Sequence, residues 1–219
     1  MPRAPPEWGL ILQRARRLTA KRDPAGRDLL YGALRWRYDT ARKKAIDALV
    51  SLGEEERPRL LKMLRTAETA VERRSAASAL GLLGNASGTR PLARALGDPS
   101  MSVRREAAVA LLRIEARASV PAIARLLRDK SGGVRVLAAN VLGRFKDPRA
   151  VMPLVRALRD RKWYVRQAAA EALGELQDSR SRPALRRATR DRRPAVSKAA
   201  WKALGGIRVA RPPLTPGSR

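Results

Sequence analysis

The sequence repeats itself at an interval of 31 residues. Leucines recur at this interval without a slip, at Leu80, Leu111, Leu142, Leu173 and Leu204. The stretch that each leucine closes follows the pattern V-R-x-x-A-A-x-A-L-G, with a shorter apolar run before it. Aspartates follow these shorter runs at the same interval, at Asp98, Asp129, Asp160 and Asp191. A period of this length is typical of proteins that stack one short structural unit many times.

Each unit has the apolar pattern of a helical hairpin. Val103, Ala107, Ala110 and Leu111 fall on one stripe of a helix, and residues 91–96 form a similar stripe on the shorter run. The Gly that follows four of the five leucines and the Asp-Pro or Asp-Lys turns are expected to end the helices. One hairpin cannot bury both of its faces, so neighbouring units must stack. We therefore predict an all-α fold, an α-solenoid in which about five to six 31-residue hairpins form a superhelical stack.

The ends of the chain depart from the repeat. Residues 1–28 predict an N-terminal capping helix and a turn at Asp23-Pro-Ala-Gly. The repeats then occupy residues 29–206. Residues 207–219 form a basic, proline-containing tail that we predict to be disordered.

Composition narrows the possible functions. Only 4% of the residues are aromatic, so alanine and leucine do the packing. No apolar run approaches the length that crosses a bilayer, and the N-terminus lacks the apolar core of a secretory signal. We expect a cytoplasmic protein without membrane insertion. An organelle transit peptide in the acid-free, amphipathic segment 8–22 is the alternative.

The sequence contains neither Cys nor His. Disulfides, thiolate nucleophiles, sulfur-based zinc sites, the Ser-His-Asp triad and most transition-metal sites are thereby excluded. We predict a protein that is not an enzyme, with no catalytic residues, no metal and no cofactor.

The unit length, the V-R-x-x-A-A-x-A-L-G helix and the preceding Asp resemble the short HEAT-like repeats of phycobilisome lyase type, over roughly residues 40–206. This resemblance implies that the second helix of each pair lines an inner wall. It also implies minor alternatives for the function, a HEAT-like DNA glycosylase or a lyase-type subunit. The paired acid and aromatic side chains of the glycosylases have no match at the corresponding positions.

A formal net charge of +28, from 48 Lys and Arg against 20 acids, is suited to a polyanionic partner. One arginine column, formed by Arg73, Arg104, Arg135 and Arg166, flanks the core, and we predict a structural role for it. The expected ion pairs bridge the turn six residues upstream, as Asp98–Arg104, Asp129–Arg135 and Asp160–Arg166.

Two other columns lie on the shorter helices and contain no acid. They consist of Arg94, Arg125, Arg156 and Arg187, and of Arg128, Arg159 and Arg190. If adjacent helices pack about 8–10 Å apart, these columns form a basic stripe that can follow a phosphate backbone. Solvation of a convex face is the alternative.

Positive charge also grows towards the C-terminus. Residues 182–219 contain 11 Lys and Arg and the single acid Asp191. Besides the columns, the candidate anion-binding residues there are Arg186, Arg193, Lys198 and Lys202. Trp163 and Tyr164, at a turn between helices, are candidates for stacking on a base, with packing as the alternative. Trp201 either fills the core at the end of the stack or lies beside the two lysines.

These observations lead to two hypotheses. The first is a non-enzymatic protein that binds nucleic acid, mainly through contacts between arginine and phosphate. The alternative is a scaffold that holds an acidic protein partner.

Overall fold

The structure is a computed structural model that describes residues 7–21, 23–36 and 38–207. Within these ranges the chain forms thirteen α-helices, six 3-10 helices and no strand. The predicted all-α class is therefore confirmed. None of the helices described is long and apolar enough to cross a membrane.

Contacts between residues divide the chain into two compact units, which meet in sequence at Ala122 and Ile123. In unit 1 the helices are α1 (Trp8–Ala20), α2 (Pro24–Ala33), α3 (Asp39–Ser51), α4 (Arg57–Thr66), α5 (Ala70–Leu83), α6 (Thr89–Ala95) and α7 (Met101–Arg113). The 3-10 helices of this unit are Glu54–Glu56, Ala86–Gly88 and Arg117–Ser119.

Helix α8 (Val120–Arg125) contains the division between the units. Unit 2 continues with α9 (Gly132–Phe145), α10 (Val151–Ala157), α11 (Trp163–Leu176), α12 (Arg182–Ala188) and α13 (Pro194–Gly206). Its 3-10 helices are Leu126–Arg128, Pro148–Ala150 and Ser179–Ser181. Long helices α9, α11 and α13 pack side by side, and short helices α10 and α12 pack on α11 and α13 respectively. Fully buried Leu142, Leu154, Leu173 and Leu185 form the centre of this core.

The predicted turn at Asp23-Pro-Ala-Gly is the first turn of α2. Asp23 is the N-cap, and its Oδ1 accepts a hydrogen bond from the Ala25 N–H at 2.9 Å. Pro24 occupies the first helical position, where no N–H is needed. The predicted boundary at residue 28 thus falls inside a helix. The predicted disordered tail lies outside the described residues, except for Ile207, which is buried.

The repeat glycines do not end the long helices, contrary to the sequence prediction. Gly143 and Gly174 lie inside α9 and α11. A Cβ atom on Gly143 would lie 3.0 Å from the Cα of Ala172, and one on Gly174 would lie 3.1 Å from the Cα of Ala203. These glycines permit adjacent long helices to approach backbone against backbone. Residues with positive φ follow the long helices instead, at Gly84, Glu115, Lys146 and Gln177.

This role predicts opposite effects of two similar substitutions. A Cβ atom on Gly81 would lie 2.7 Å from the Cα of Ala110, so the backbone must shift. We expect Gly81→Ala to lower the free energy of unfolding by about 1–3 kcal/mol, despite the helix preference of alanine. A Cβ atom on Gly205 meets no atom of residues 7–21, 23–36 and 38–207 within 4 Å, so Gly205→Ala is expected to raise stability by up to about 1 kcal/mol. Urea unfolding measures the stability of both variants. A change of unfolding free energy in the same direction for Gly81→Ala and Gly205→Ala would contradict the packing role of the glycines.

Candidate nucleic-acid interface

The arginine column of the long helices is structural, as predicted, but its carboxylate partners are different. In three of the four arginines the guanidinium group donates from Nε and Nη2 to the two carboxylate oxygens of an Asp in the following repeat, at 2.7–3.0 Å. These inter-repeat pairs are Arg73 with Asp98, Arg135 with Asp160, and Arg166 with Asp191. The Asp six residues upstream supplies only its backbone carbonyl oxygen, for example 2.8 Å from Nη1 of Arg135 to Asp129. The predicted carboxylate pairs Asp98–Arg104, Asp129–Arg135 and Asp160–Arg166 are therefore wrong.

The turn explains why each Asp serves the preceding repeat. Asp160 Oδ1 accepts a hydrogen bond from the backbone N–H of Lys162, two residues later, at 2.8 Å. Asp191 makes the same contact with the Arg193 N–H at 2.9 Å. This local bond fixes the carboxylate beside the start of the next long helix, in line with the guanidinium of the repeat before.

Each inter-repeat pair joins one positive and one negative charge, so it offers a charged partner no net charge to bind. The hydrogen bond from the Arg166 guanidinium, together with its charge, holds the pKa of Asp191 below its usual range. The same contact raises the pKa of Arg166. Both groups stay charged near neutral pH and satisfy one another.

Most carboxylates of unit 2 are held in ion pairs with arginine, either between repeats or within a turn. From residue 123 onward the sequence has seven acids, of which Asp129, Asp147, Asp160, Asp178 and Asp191 lie at turns. Asp147 pairs with Arg149, and Asp178 with Arg180, each at the start of a 3-10 helix. The other two acids, Glu171 and Glu175, lie on α11. The short helices α10 and α12 therefore have no acid of their own to neutralise their arginines.

Six predicted arginines occupy equivalent positions in the successive repeats of unit 2. Arg125, Arg156 and Arg187 lie in the last turns of α8, α10 and α12, and Arg128, Arg159 and Arg190 follow three residues later. All six side chains are exposed. None of these six side chains makes a hydrogen bond or an ion pair with any residue that the structure describes.

A third basic column escaped the sequence prediction. Lys130, Arg161 and Arg192 come directly after the turn aspartates, 31 residues apart, and all are exposed. The signal was present in this spacing. We call the nine residues of the three columns in unit 2 the basic edge: Arg125, Arg128, Lys130, Arg156, Arg159, Arg161, Arg187, Arg190 and Arg192.

Helix ends reinforce the positive potential of this edge. Helices α11 and α13 begin directly after it and have no acidic residue in their first turn. Their N-cap residues are Lys162 and Arg193, and the N-terminal end of a helix itself carries partial positive charge. Cations at these positions repel the helix dipole, and an anion bound at the edge would relieve that repulsion.

The remaining predicted cations are more scattered. Arg94 is exposed on α6, in unit 1. Arg186 is exposed on α12, and Arg193 precedes α13. Lys198 and Lys202 line a groove of about 720 Å³ between α11 and α13, whose other wall carries Glu171 and Glu175. The basic edge contributes no lining residue to this groove.

The two aromatic candidates begin α11 and contact each other. The rings of Trp163 and Tyr164 meet edge to face, with centroids 5.8 Å apart. Tyr164 packs so closely on Gly132 that a Cβ atom there would lie 2.5 Å from the Tyr164 hydroxyl oxygen. Packing thus accounts for the position of Tyr164, while stacking on a base stays a prediction for both rings.

No group of acidic side chains in the described part of the chain is arranged to hold a metal ion. The exposed arginines of the basic edge are instead suited to holding anions by charge and hydrogen bonding.

HEAT repeats match the chain over residues 57–135, 89–174 and 151–215. No curated protein sequence matches it. Among solved structures, YibA of Escherichia coli is 22% identical with a TM-score of 0.67, over 93% of this chain and 76% of that one. An engineered protein is 20% identical with a TM-score of 0.57, over 90% and 96% of the two chains. A designed armadillo repeat protein in complex with the peptide (KR)4 is 19% identical with a TM-score of 0.56, over 82% and 98%. These likenesses confirm the predicted α-solenoid class.

Proposed function

The chain belongs to the HEAT repeat family, and from this premise we propose that it is a non-enzymatic binding protein whose basic edge holds a polyanion, most favourably nucleic acid. One observation carries the proposal: the arginines of the edge have no carboxylate partner in the described structure, while Asp160 and Asp191 beside them are committed to the inter-repeat pairs.

The arrangement supports contacts with phosphates in a row. Neighbouring helices pack about 8–10 Å apart, so each hairpin offers a new set of cations at that interval. Guanidinium groups bind phosphate through two parallel hydrogen bonds, which adds geometry to charge. Contacts of this kind position a nucleic acid without reading its sequence. Weak sequence preference is therefore part of the proposal.

Salt dependence tests the proposal directly. Six arginine–phosphate contacts predict a slope of about −5 for the logarithm of the association constant against the logarithm of salt concentration. We expect duplex DNA to bind roughly 10³-fold more weakly at 200 mM than at 50 mM salt. Fluorescence anisotropy with labelled duplex DNA and with structured RNA measures the slope. Weak binding that does not respond to salt would reject the proposal.

A protein partner is the second candidate, and the groove between α11 and α13 favours it. The groove has one acidic and one basic wall and a floor of small residues that includes Gly174, Ala199 and Ala203. Such a surface is suited to a polypeptide with charges of both signs. Two results together would decide for this candidate: the chain binds no nucleic acid, and a pull-down after nuclease treatment recovers one protein.

A further inference from the structure

The last long helix breaks a column of alanines. Position 201 is Trp, whereas the equivalent positions in the four preceding long helices are Ala77, Ala108, Ala139 and Ala170. These four alanines are completely buried, and Trp201 is 64% exposed. Of the two alternatives for Trp201, filling the core is therefore excluded, because its side chain is exposed to solvent.

The side of α13 that carries Trp201 is uncovered in the described structure. In α9 and α11 the equivalent side receives the next long helix, where Gly143 and Gly174 approach Ala172 and Ala203. Gly205, one turn after Trp201 and equivalent to these glycines, has no atom of the described residues within 4 Å of a Cβ position. The ring of Trp201 also takes part in no aromatic or cation–π contact among residues 7–21, 23–36 and 38–207.

The charged residues next to Trp201 on α13 are two lysines, which also border the groove whose other wall carries Glu171 and Glu175. Lys198 lies one turn before it and shares its side of α13, and Lys202 follows it directly; both are exposed. From residue 182 to the end of the sequence the single acid is Asp191, which is paired with Arg166. A second copy of this chain is a poor occupant, because it would place lysine against lysine. Another repeat of the same kind cannot pack on this side of α13, because at the position of Trp201 the other long helices leave room only for the methyl group of an alanine.

We propose that Trp201 is a stacking platform for an unpaired base of single-stranded nucleic acid, with Lys198 and Lys202 holding the adjoining phosphates. An exposed aromatic ring flanked by cations is the arrangement that binds single strands, because every base has a flat face and every nucleotide a negative charge. The inference rests on the proposed function and refines it: the partner contains a single-stranded segment.

Trp201→Ala is an unusually clean test, because it restores the residue of the other four repeats and should leave the fold intact. We expect it to weaken binding of a short oligothymidylate by roughly 5- to 150-fold. Stacking is not electrostatic, so the salt slope should stay unchanged. Duplex DNA of the same length should bind as before, because its bases are paired. Trp201→Phe retains an aromatic face and should recover most of the affinity.

The measurement is fluorescence anisotropy at several salt concentrations, with circular dichroism as the check on folding. Equal binding of oligothymidylate by wild-type protein and Trp201→Ala would overturn the inference and leave the proposed function standing. An equal loss for duplex DNA would also overturn it. Failure of the wild-type protein to bind either form would reject the proposed function itself. Loss of a nuclease-resistant protein partner in Trp201→Ala would assign this side of α13 to a protein and overturn the stacking role.

Discussion

Replacing Arg125, Arg156 and Arg187 together by Gln is expected to weaken binding of duplex DNA by on the order of 10²- to 10³-fold at about 0.1 M salt. Each arginine that leaves a phosphate reduces the number of counterions released on binding by about 0.9. The slope of the logarithm of affinity against the logarithm of salt concentration should therefore fall by about 2.7, roughly half of its wild-type value. Anisotropy titrations between 50 and 200 mM salt measure both quantities.

Unfolding of the triple variant should not cause this loss of binding. The three side chains are exposed and have no partner in the described residues, so their removal breaks no contact. A matched control is Arg14, Arg16 and Arg17 to Gln on α1, which removes the same charge from exposed positions in unit 1. An equal loss in both triple variants would show that net charge alone drives binding. No loss in the first variant would reject the basic edge as the site.

Removing the Asp160 carboxylate is expected to be the most damaging single change to the fold. Its partner Arg135 has a side chain only 6% exposed, and Asp160 itself is 11% exposed. Asp160→Ala leaves the guanidinium buried without its counter-ion and also frees the Lys162 N–H. Breaking a buried pair from one side costs about 3–5 kcal/mol of unfolding free energy. Urea denaturation monitored by circular dichroism measures the loss.

The same variant should lose part of the acid sensitivity of the protein. Burial tends to raise the pKa of Asp160, but hydrogen bonds from Arg135 and from the Lys162 N–H outweigh it, so the pKa lies below the usual 3.8. A lowered carboxyl pKa contributes stability above pH 3.8 and loses it as the pH falls through the folded-state value. Wild-type protein should therefore weaken in this acid range more steeply than Asp160→Ala.

An exposed ion pair is the control for this prediction. Arg113 and Glu106 approach to 3.3 Å, with side chains 42% and 24% exposed. Glu106→Gln should change the unfolding free energy by less than about 1 kcal/mol. If Asp160→Ala and Glu106→Gln unfold at the same urea concentration, the inter-repeat pairs do not hold the hairpins together.

Much of the architecture followed from the sequence because the repeat is regular. A stripe such as Val103, Ala107 and Leu111 can be buried only on one side of a helix, so the hairpin and its stacking were predictable. The outward direction of Arg125 and Arg156 followed from the same periodicity. The absence of Cys and His excluded whole classes of chemistry without any coordinates.

Relations between repeats were decided by the tertiary structure. Sequence separation favoured Asp160 as the partner of Arg166, but packing places Asp160 against Arg135 of the preceding repeat. The sequence pattern around Gly143 indicated a helix end. The packing shows instead that Gly143 permits a close approach of two helices, because a Cβ atom there would lie 3.0 Å from the Cα of Ala172. The exposure of Trp201 likewise depends on what covers α13. The physical reason is the same in each case: periodicity determines which side of a helix a residue occupies, whereas the packing distance between helices determines which atoms meet there.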